Sequence, residues 1–232
     1  MSDPVDKPRT LAIAVPDAGI VSALWQEAAG GGPCLVLAHG AGAGMTHSAM
    51  AAVADGLARR GVATLRYQFP FMERGAKRPD SPPLAQATVR AAVDAARDLA
   101  AGRPLFAGGR SFGGRMTSGA EAASPLPGLA GLVFFAFPLH PAGRPGRERA
   151  AHLAAIGRPM LFLQGTRDAL ADLALLQATI AELGPRATLE LAPDADHAFH
   201  VPARTGRRDP DVLAALLDAA VAWMAAQAKR AA

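Results

Sequence analysis

A serine stands between two glycines in the G-x-S-x-G spacing of residues 109–113, with Ser111 at its centre. An apolar run, 104–107, leads into this motif, and a helical pattern of small residues, 116–123, leads out of it. Glycines two residues before and after a serine let a strand and a helix pack closely enough to hold it in a sharp, strained turn. The motif therefore predicts a nucleophile elbow, with Ser111 as the attacking group of an acyl transfer.

Residues that would activate such a serine follow later in the chain. His197 lies just after a predicted strand, and a histidine suits proton transfer because its unperturbed pKa is about 6.5. Asp168 follows another predicted strand through a glycine turn, where its carboxylate would orient the imidazole. The order Ser111, Asp168, His197 is the one expected when the serine occupies an elbow. These three residues are the predicted catalytic set.

Neighbouring residues leave alternatives open. His200 is an alternative to His197 as the base. Asp168 also precedes a predicted helix and could cap its N-terminus, where aspartate is favoured. Asp172 is predicted to lie on the surface of that helix. Asp194, Asp196, His197 and His200 together also resemble a metal-binding cluster. Two histidines three residues apart, however, lack the helical context and the third ligand of a zinc site. We therefore expect no metal and no cofactor.

Acyl transfer also needs N–H donors for the oxyanion that develops on the substrate carbonyl. One predicted donor is the backbone of Phe112, the residue after the nucleophile. The other is Ala41, with Gly42 as the alternative, in the loop after the third predicted strand. Glycines suit this loop because a backbone amide faces a substrate only where no side chain blocks it. His39, at the start of the loop, is predicted to orient it through a hydrogen bond.

Apolar runs that alternate with helical patterns predict the fold class. Strands are expected before the elbow and over 11–15, 21–26, 34–38, 62–67, 131–136, 159–164 and 187–191. Helices are expected between most of the strands, and two of the predicted helices cover 147–156 and 211–227. A loop is predicted over 68–83. This alternation predicts a mostly parallel, doubly wound α/β sheet, and the first two strands, which no helix separates, predict an antiparallel N-terminal edge. We expect one domain over 1–232, with residues 1–9 a loose tail.

The candidate catalytic residues follow predicted strands, and in an open parallel sheet the chemistry collects at the carboxyl ends of the strands. Only a short connection, 137–147, follows the sixth strand, so no separate cap domain is expected. The pocket should then be shallow and suited to small acyl groups. The residues predicted to border it and to bind substrate are Gly40, Gly42, Met45, His47, Phe71, His140 and Phe199.

Composition and charge argue against several other classes of protein. Half of the 232 residues are hydrophobic and the net charge is +4, but the arginines are scattered and lack the basic face with aromatic side chains that nucleic-acid binding needs. The single cysteine, Cys34, permits no intrachain disulfide. Neither a signal peptide nor a membrane span is predicted. We expect a cytoplasmic monomer or homodimer that binds neither nucleic acid nor membrane.

Four stretches carry a resemblance that extends over essentially the whole chain: 37–42, 108–116, 137–141 and 164–168. Through them the sequence resembles the α/β-hydrolase superfamily, and within it the small cap-less branch of Tex30-like and KANSL3-like proteins. Bacterial members are often compared with dienelactone hydrolases, which resemble this chain in fold but use a cysteine where it has Ser111. The resemblance implies an α/β-hydrolase fold and a Ser-His-Asp triad, and some relatives act as binding partners in assemblies.

The function predicted from these residues is the hydrolysis of small carboxylic esters or thioesters through an acyl-enzyme intermediate. The alternatives are a small serine peptidase with the same residues and a non-catalytic interaction protein that kept the fold. The presence of Ser111, Asp168 and His197 together favours an enzyme. Arg110 is predicted to pair with a carboxylate behind the sheet rather than to bind an acidic substrate, and the role of Arg115 stays open.

Overall fold

One eight-stranded sheet organises residues 7–231, the part of the chain that the computed structural model describes. Its strands are β1 (Arg9–Val15), β2 (Gly19–Gln26), β3 (Cys34–Ala38), β4 (Ala63–Tyr67), β5 (Leu105–Arg110), β6 (Leu129–Phe135), β7 (Met160–Gly165) and β8 (Ala187–Ala192). They lie in the order β1-β2-β4-β3-β5-β6-β7-β8. The strands from β3 onward pair in parallel, as expected where helices connect successive strands.

The N-terminal edge of the sheet is antiparallel, as predicted. β1 pairs with β2, Val15 opposite Gly19, and β2 pairs antiparallel with β4. Only a tight turn joins β1 to β2, which suffices for antiparallel neighbours but not for a parallel crossover. β1 already includes Arg9, which corrects the predicted loose tail at that end. The first six residues of the tail lie outside the described residues.

Helices cover both faces of the sheet. They are α1 (Ser48–Ala58), α2 (Pro70–Glu73), α3 (Pro82–Ala100), α4 (Phe112–Ala123), α5 (Leu173–Leu183) and α6 (Asp209–Ala231), with a 3-10 helix at Glu148–Ala155. α1 and α6 pack on one face, and α3, α4, α5 and the 3-10 helix pack on the other. Leu35 and Leu37 face the first layer while Val36 between them faces the second. This is why β3 is apolar throughout.

Three helical segments differ from the predicted ones. α2 lies inside the predicted loop of 68–83, where Pro70 takes the first helical position, which needs no N–H donor. The segment Glu148–Ala155 is a 3-10 helix where an α-helix is predicted. α6 runs to Ala231, four residues beyond its predicted end at residue 227.

Within the described residues, α6 is the helix whose length and hydropathy would allow it to cross a membrane, over Asp209–Arg230. Its Val212 and Met224 are buried in the apolar cluster that α1 and the sheet also form. On its outer side Asp218 pairs with Arg60 at 2.7 Å. These contacts make α6 a part of the helical layer that covers the sheet.

The carboxyl ends of the parallel strands meet at one edge of the sheet. The loops that leave this edge carry the predicted catalytic residues, since Ser111 follows β5, Asp168 follows β7 and His197 follows β8. The connection after β6, residues 136–147, contains no helix or strand. Within residues 7–231 the domain therefore has no cap over this edge, as predicted.

Candidate active site

Ser111 occupies the sharp turn between β5 and α4. Its φ of 51° and ψ of −115° lie in a region that residues with a side chain rarely adopt. Two backbone bonds hold it there: its N–H donates to Phe135 O at 3.0 Å, and its carbonyl accepts from Arg115 N at 3.1 Å. The hydroxyl makes no capping bond to α4 and interacts instead with the loop after β8.

Gly109 and Gly113 let β5 and α4 approach β3 closely. A Cβ atom at Gly109 would lie 2.5 Å from Ala38 O, and one at Gly113 would lie 2.5 Å from His39 O. Real Cβ atoms do not come so close to carbonyl oxygens, so any side chain at either position would push strand and helix away from β3. Both glycines of the motif are thus required by backbone packing around the serine.

The structure brings Ser111, His197 and Asp168 into one hydrogen-bonded chain. His197 Nε2 lies 2.9 Å from Ser111 Oγ, and His197 Nδ1 lies 2.7 Å from Asp168 Oδ2. An ionised carboxylate only accepts hydrogen bonds, so Nδ1 carries the ring hydrogen and donates a hydrogen bond to Asp168. Nε2 is then left to accept from the Ser111 hydroxyl, the arrangement that proton removal requires.

Further donors fix the Asp168 carboxylate, whose side chain is fully buried. Oδ2 accepts from Gln164 Nε2 at 2.5 Å, and Oδ1 accepts from Leu170 N at 2.8 Å. These two bonds fix the carboxylate so that Oδ2 faces His197 Nδ1. The helix cap considered for Asp168 belongs to Asp172, whose Oδ1 accepts from Leu175 N at 3.0 Å at the start of α5. Asp172 is therefore a capping residue rather than only a surface residue.

His200, the alternative base, is directed away from the serine. Its Nδ1 lies 2.8 Å from Asp209 Oδ2, and 64% of its side chain is exposed. The hydrogen bond to Asp209 raises the pKa of His200. His197 is thus the histidine that the fold places beside Ser111. Among residues 7–231, no group of three or more His, Cys, Asp or Glu side chains is arranged to hold a metal ion.

Arg110 links the elbow strand to the histidine loop. Its Nη2 donates to the His197 carbonyl at 3.2 Å, and its guanidinium carbon lies 5.9 Å from the centroid of the Phe199 ring. Burial lowers the pKa of Arg110, against the opposite effect of the Asp196 and Asp168 carboxylates. The contact is structural, as predicted, but its hydrogen bond goes to a backbone carbonyl rather than to a carboxylate.

A cavity of about 680 Å³ opens beside Ser111. Segment 78–82, the elbow with the start of α4, the 3-10 helix and the loops after β3, β6 and β7 all contribute to its lining. Its lining residues are Ala41, Arg78, Pro79, Asp80, Ser81, Pro82, Ser111, Phe112, Arg115, Pro138, Arg149 and Leu170. The two predicted oxyanion donors, Ala41 and Phe112, therefore line the same space as the serine.

Three residues predicted to bind substrate are buried and do not line this cavity. Phe71, Met45 and Phe199 are at most 5% exposed. Phe71 packs behind Phe112, with ring centroids 6.1 Å apart, and Phe199 lies against Arg110. Burying such large apolar side chains stabilises the fold by removing their surface from water. The predicted substrate contacts of these three residues are corrected to packing contacts.

His47 and His140 are also engaged elsewhere. His47 Nδ1 accepts from Ala49 N at 3.2 Å and caps α1. His140 is buried, its Nε2 accepting from Asp172 N and its Nδ1 donating to Pro141 O, both at 2.8 Å. The His140 ring thus ties the loop after β6 to the loop after β7. Both histidines have structural contacts in place of the predicted substrate contacts.

His39 fixes the loop after β3 from its first residue. The ring is fully buried, its Nε2 accepting from Phe69 N at 3.0 Å and its Nδ1 donating to Gly40 O at 2.7 Å. The predicted loop-orienting hydrogen bond is thereby confirmed. Burial lowers the pKa of His39, which keeps the ring neutral and Nε2 able to accept. Gly40 and Gly42 lie on this loop outside the cavity lining, but a Cβ atom at Gly40 would lie 3.9 Å from Ser111 Cβ, so Gly40 borders the serine. Their substrate contacts stay a prediction.

Several cavity residues are missing from the predicted set. Arg115 stands four positions after Ser111, one helical turn along α4, so its spacing marks it as a neighbour of the serine. Arg149 and Leu170 come from distant parts of the chain, and nothing in their local sequence marks them. The stretch 78–82 carries only the signal of a proline-rich loop.

The sequence matches the family described as "Alpha/beta hydrolase domain" over residues 31–225. The chain belongs to the α/β-hydrolase family. The match includes the elbow and the positions of Asp168 and His197, and it confirms the superfamily resemblance found in the sequence. A comparison of this hydrolase with curated proteins found no match.

Solved α/β hydrolases share the fold over nearly the whole chain. An α/β serine hydrolase without lid from Xanthomonas campestris is 22% identical, with a TM-score of 0.72 over 95% of this chain and 98% of that one. A dienelactone hydrolase from Anabaena variabilis is 19% identical, with a TM-score of 0.73 over 94% and 97%. Est1E from Butyrivibrio proteoclasticus is 16% identical, with a TM-score of 0.72 over 96% and 99%.

Proposed function

We propose that this α/β hydrolase is a serine hydrolase that cleaves small carboxylic esters or thioesters through an acyl-enzyme intermediate. The observation that carries the proposal is the continuous path from Asp168 through His197 to Ser111, with distances of 2.7 and 2.9 Å. A serine hydroxyl alone is a weak nucleophile and needs a base within such reach. Ser111 is the nucleophile, His197 the general base, and Asp168 the carboxylate that orients the base.

In the first half-reaction, Ser111 Oγ attacks the carbonyl carbon of the substrate while its proton passes to His197 Nε2. The new C–O bond displaces the carbonyl π electrons onto oxygen and gives a tetrahedral oxyanion. The His197 imidazolium, stabilised by Asp168, then protonates the leaving alcohol or thiol as its bond to carbon breaks. The acyl group is left on Ser111.

The oxyanion lies between the backbone N–H groups of Phe112 and Ala41. Phe112 begins α4, where an N–H has no acceptor within the helix and the helix dipole is positive. Neither N–H has a loop or turn carbonyl as acceptor within residues 7–231. Loss of one such donor typically lowers kcat about 10²–10³-fold. Ala41→Pro, which removes the N–H, tests this role.

Water completes the reaction by the reverse route. His197 takes a proton from a water molecule, the water oxygen attacks the acyl carbon, and the proton returns to Ser111 Oγ as the ester bond breaks. The absence of a cap over this edge of the described domain leaves a path for that water.

The open, cap-less surroundings of the cavity support a short acyl group. The cavity volume of about 680 Å³ leaves ample room for such a group, and no cap domain within residues 7–231 covers it as an enclosure for a long chain would need. Two of the solved proteins with this fold, a dienelactone hydrolase and an esterase domain from Rhodothermus marinus, are named for the cleavage of ester-type bonds. These names support the substrate class, and the site geometry supports the mechanism.

Labelling with a fluorophosphonate tests the nucleophile directly, because the reagent reacts with activated serines. Intact mass and peptide mapping should give one adduct, on Ser111, which Ser111→Ala abolishes. Ser124→Ala is the matched control, since Ser124 is exposed and does not line the cavity. A series of p-nitrophenyl esters from acetyl to dodecanoyl should then be cleaved fastest at the short end.

Each contrary outcome points to a different alternative. A folded protein that takes up no fluorophosphonate would exclude the acyl-enzyme route and favour the interaction protein. Labelling on Ser111 with cleavage of peptides and not of esters would favour the serine peptidase. Preference for the dodecanoyl ester would contradict the small-substrate part of the proposal.

A further inference from the structure

Three arginines converge on the cavity beside Ser111. Arg78 comes from the loop after α2, Arg115 from α4 and Arg149 from the 3-10 helix, and all three line the cavity. None of them forms an ion pair with a carboxylate in the part of the chain that the structure describes. Their charges are therefore available to a bound molecule.

The acidic residue in the cavity lining does not neutralise them. Asp80 Oδ1 accepts from Arg74 Nη2 at 2.7 Å, and Asp80 Oδ2 accepts from Phe71 N at 2.9 Å. The Asp80 side chain is 1% exposed, so its charge is already paired with Arg74 and shielded from the cavity. The lining thus carries three positive charges and no uncompensated negative one.

Arg115 and Arg149 are close enough to repel each other. Burial, and then the charge of Arg149, lower the pKa of Arg115. Two partly buried guanidinium groups of like sign destabilise a fold unless an opposite charge lies between them. Both side chains line the Ser111 cavity, and both also line a neighbouring cavity whose lining includes Glu148 and His152. An anion bound in the Ser111 cavity would offset their repulsion.

The lining residues also show which part of a substrate the cavity would hold. Ala41 and Phe112, the oxyanion donors of the proposed mechanism, line it, whereas His197 does not. A leaving group must depart beside His197 Nε2, which protonates it. Because the cavity includes Ser111 but not His197, we assign it to the acyl chain.

We infer that the acyl chain of the substrate ends in a carboxylate that binds Arg115 and Arg149, with Arg78 attracting it at the rim. Guanidinium groups bind carboxylates in a bidentate geometry. Arg115 stands four residues beyond Ser111, about 6 Å along α4, so the carboxylate belongs a few carbons from the reacting carbonyl. The substrates are then half-esters or half-thioesters of short dicarboxylic acids. This inference rests on the proposed serine hydrolase.

Two matched substrates test it: p-nitrophenyl hydrogen adipate and p-nitrophenyl hexanoate, which share acyl length and leaving group and differ in the terminal carboxylate. The adipate ester should have the higher kcat/KM. Arg115→Gln and Arg149→Gln should each lower the adipate-to-hexanoate ratio of kcat/KM roughly tenfold or more, chiefly through KM. Arg115→Lys should restore part of the ratio.

Arg59→Gln is the control, because it removes the same charge from an exposed position at the end of α1, on the other face of the sheet. It should leave the ratio as it is. A ratio of about one or less in the parent protein, or a ratio that neither substitution changes, would overturn the inference while the hexanoate esterase remained.

Calorimetric titration with adipate at low ionic strength tests the arginines independently of turnover. Binding to the parent protein that is lost in Arg115→Gln would support the site even if fluorophosphonate labelling failed and the proposed hydrolase had to be abandoned. Absence of binding in a parent protein that cleaves hexanoate would overturn the anion site alone.

Discussion

Arg110 Nη2 donates a hydrogen bond to the backbone carbonyl of His197 at 3.2 Å. The residue before the nucleophile thus holds the loop that carries the base. Arg110 ends β5 in the centre of the sheet, whereas His197 lies in the loop after β8. The guanidinium also lies over Phe199, two residues beyond the histidine. Arg110 thus ties the backbone of the histidine loop to the elbow strand, while Asp168 orients the imidazole itself.

Arg110→Met should lower kcat about 10- to 100-fold with little change in KM, because displacement of a catalytic group by about 1 Å can cost this much. Arg110→Lys should keep part of the rate. Steady-state kinetics with a short-chain ester measures both, and Arg59→Met, on the far face of the sheet, serves as the control. A kcat for Arg110→Met equal to that of the parent would show that the loop holds His197 without this contact.

Substitutions along the chain Ser111, His197 and Asp168 should not be additive, because the three side chains act as a unit. Asp168→Asn should lower kcat by about 10⁴-fold, since the amide favours the wrong imidazole tautomer. Ser111→Ala and His197→Ala should each cost at least as much, and the double variant little more. Circular dichroism checks that each variant is folded. Multiplicative losses in the double variant would contradict a common proton path.

Local patterns predicted most of the sheet, because continuous burial makes a strand such as β3 apolar at every position. The helical segments were less well predicted. α2 has four residues, too few to show a helical period, and only Pro70 marks its start. The pattern of Glu148–Ala155 indicates a helix but does not distinguish 3-10 from α hydrogen bonding.

The residues that meet around Ser111 were predictable where strand ends place them. Asp168 and His197 each follow a parallel strand, so topology brings them to the same edge. The cavity lining was not predictable, because it depends on contacts between distant segments. Phe71 and Phe199 have the aromatic character of a binding site, yet both pack in the core, whereas Arg149 enters the cavity from the 3-10 helix.

Gly113→Ala should lower the free energy of unfolding by about 1–3 kcal/mol, the usual cost of overpacking. Its Cβ would lie 2.5 Å from His39 O, a backbone atom that cannot rotate away. Gly42→Ala is the matched control: no atom lies within 4 Å of its Cβ position, so the change should stay within about 0.5 kcal/mol. Urea unfolding measures both. Equal effects would show that backbone packing at the elbow is not the reason for the glycine.

Buried His39 should make the stability of the fold depend on pH. Burial lowers the pKa of His39 below that of an unfolded chain, about 6.5, so the unfolded protein binds a proton that the folded protein excludes. The stabilisation is complete above the unfolded pKa and declines as the pH falls from there toward the lowered folded pKa. Burial shifts the pKa of His152 in the same direction. Stability should therefore fall as the pH decreases through about 6.5, the pKa of the unfolded histidines.

His39→Gln separates this titration from that of the carboxylates, which also destabilise the fold in acid. The glutamine oxygen can still accept from Phe69 N, the donor that now bonds Nε2 at 3.0 Å. Urea unfolding across the pH series should show a smaller loss of stability toward low pH in the variant, by up to about 1.4 kcal/mol per pH unit. His39→Gln combined with His152→Gln should flatten the curve further. Parallel curves for parent and variant would mean that His39 takes up a proton as readily in the fold as in the unfolded chain.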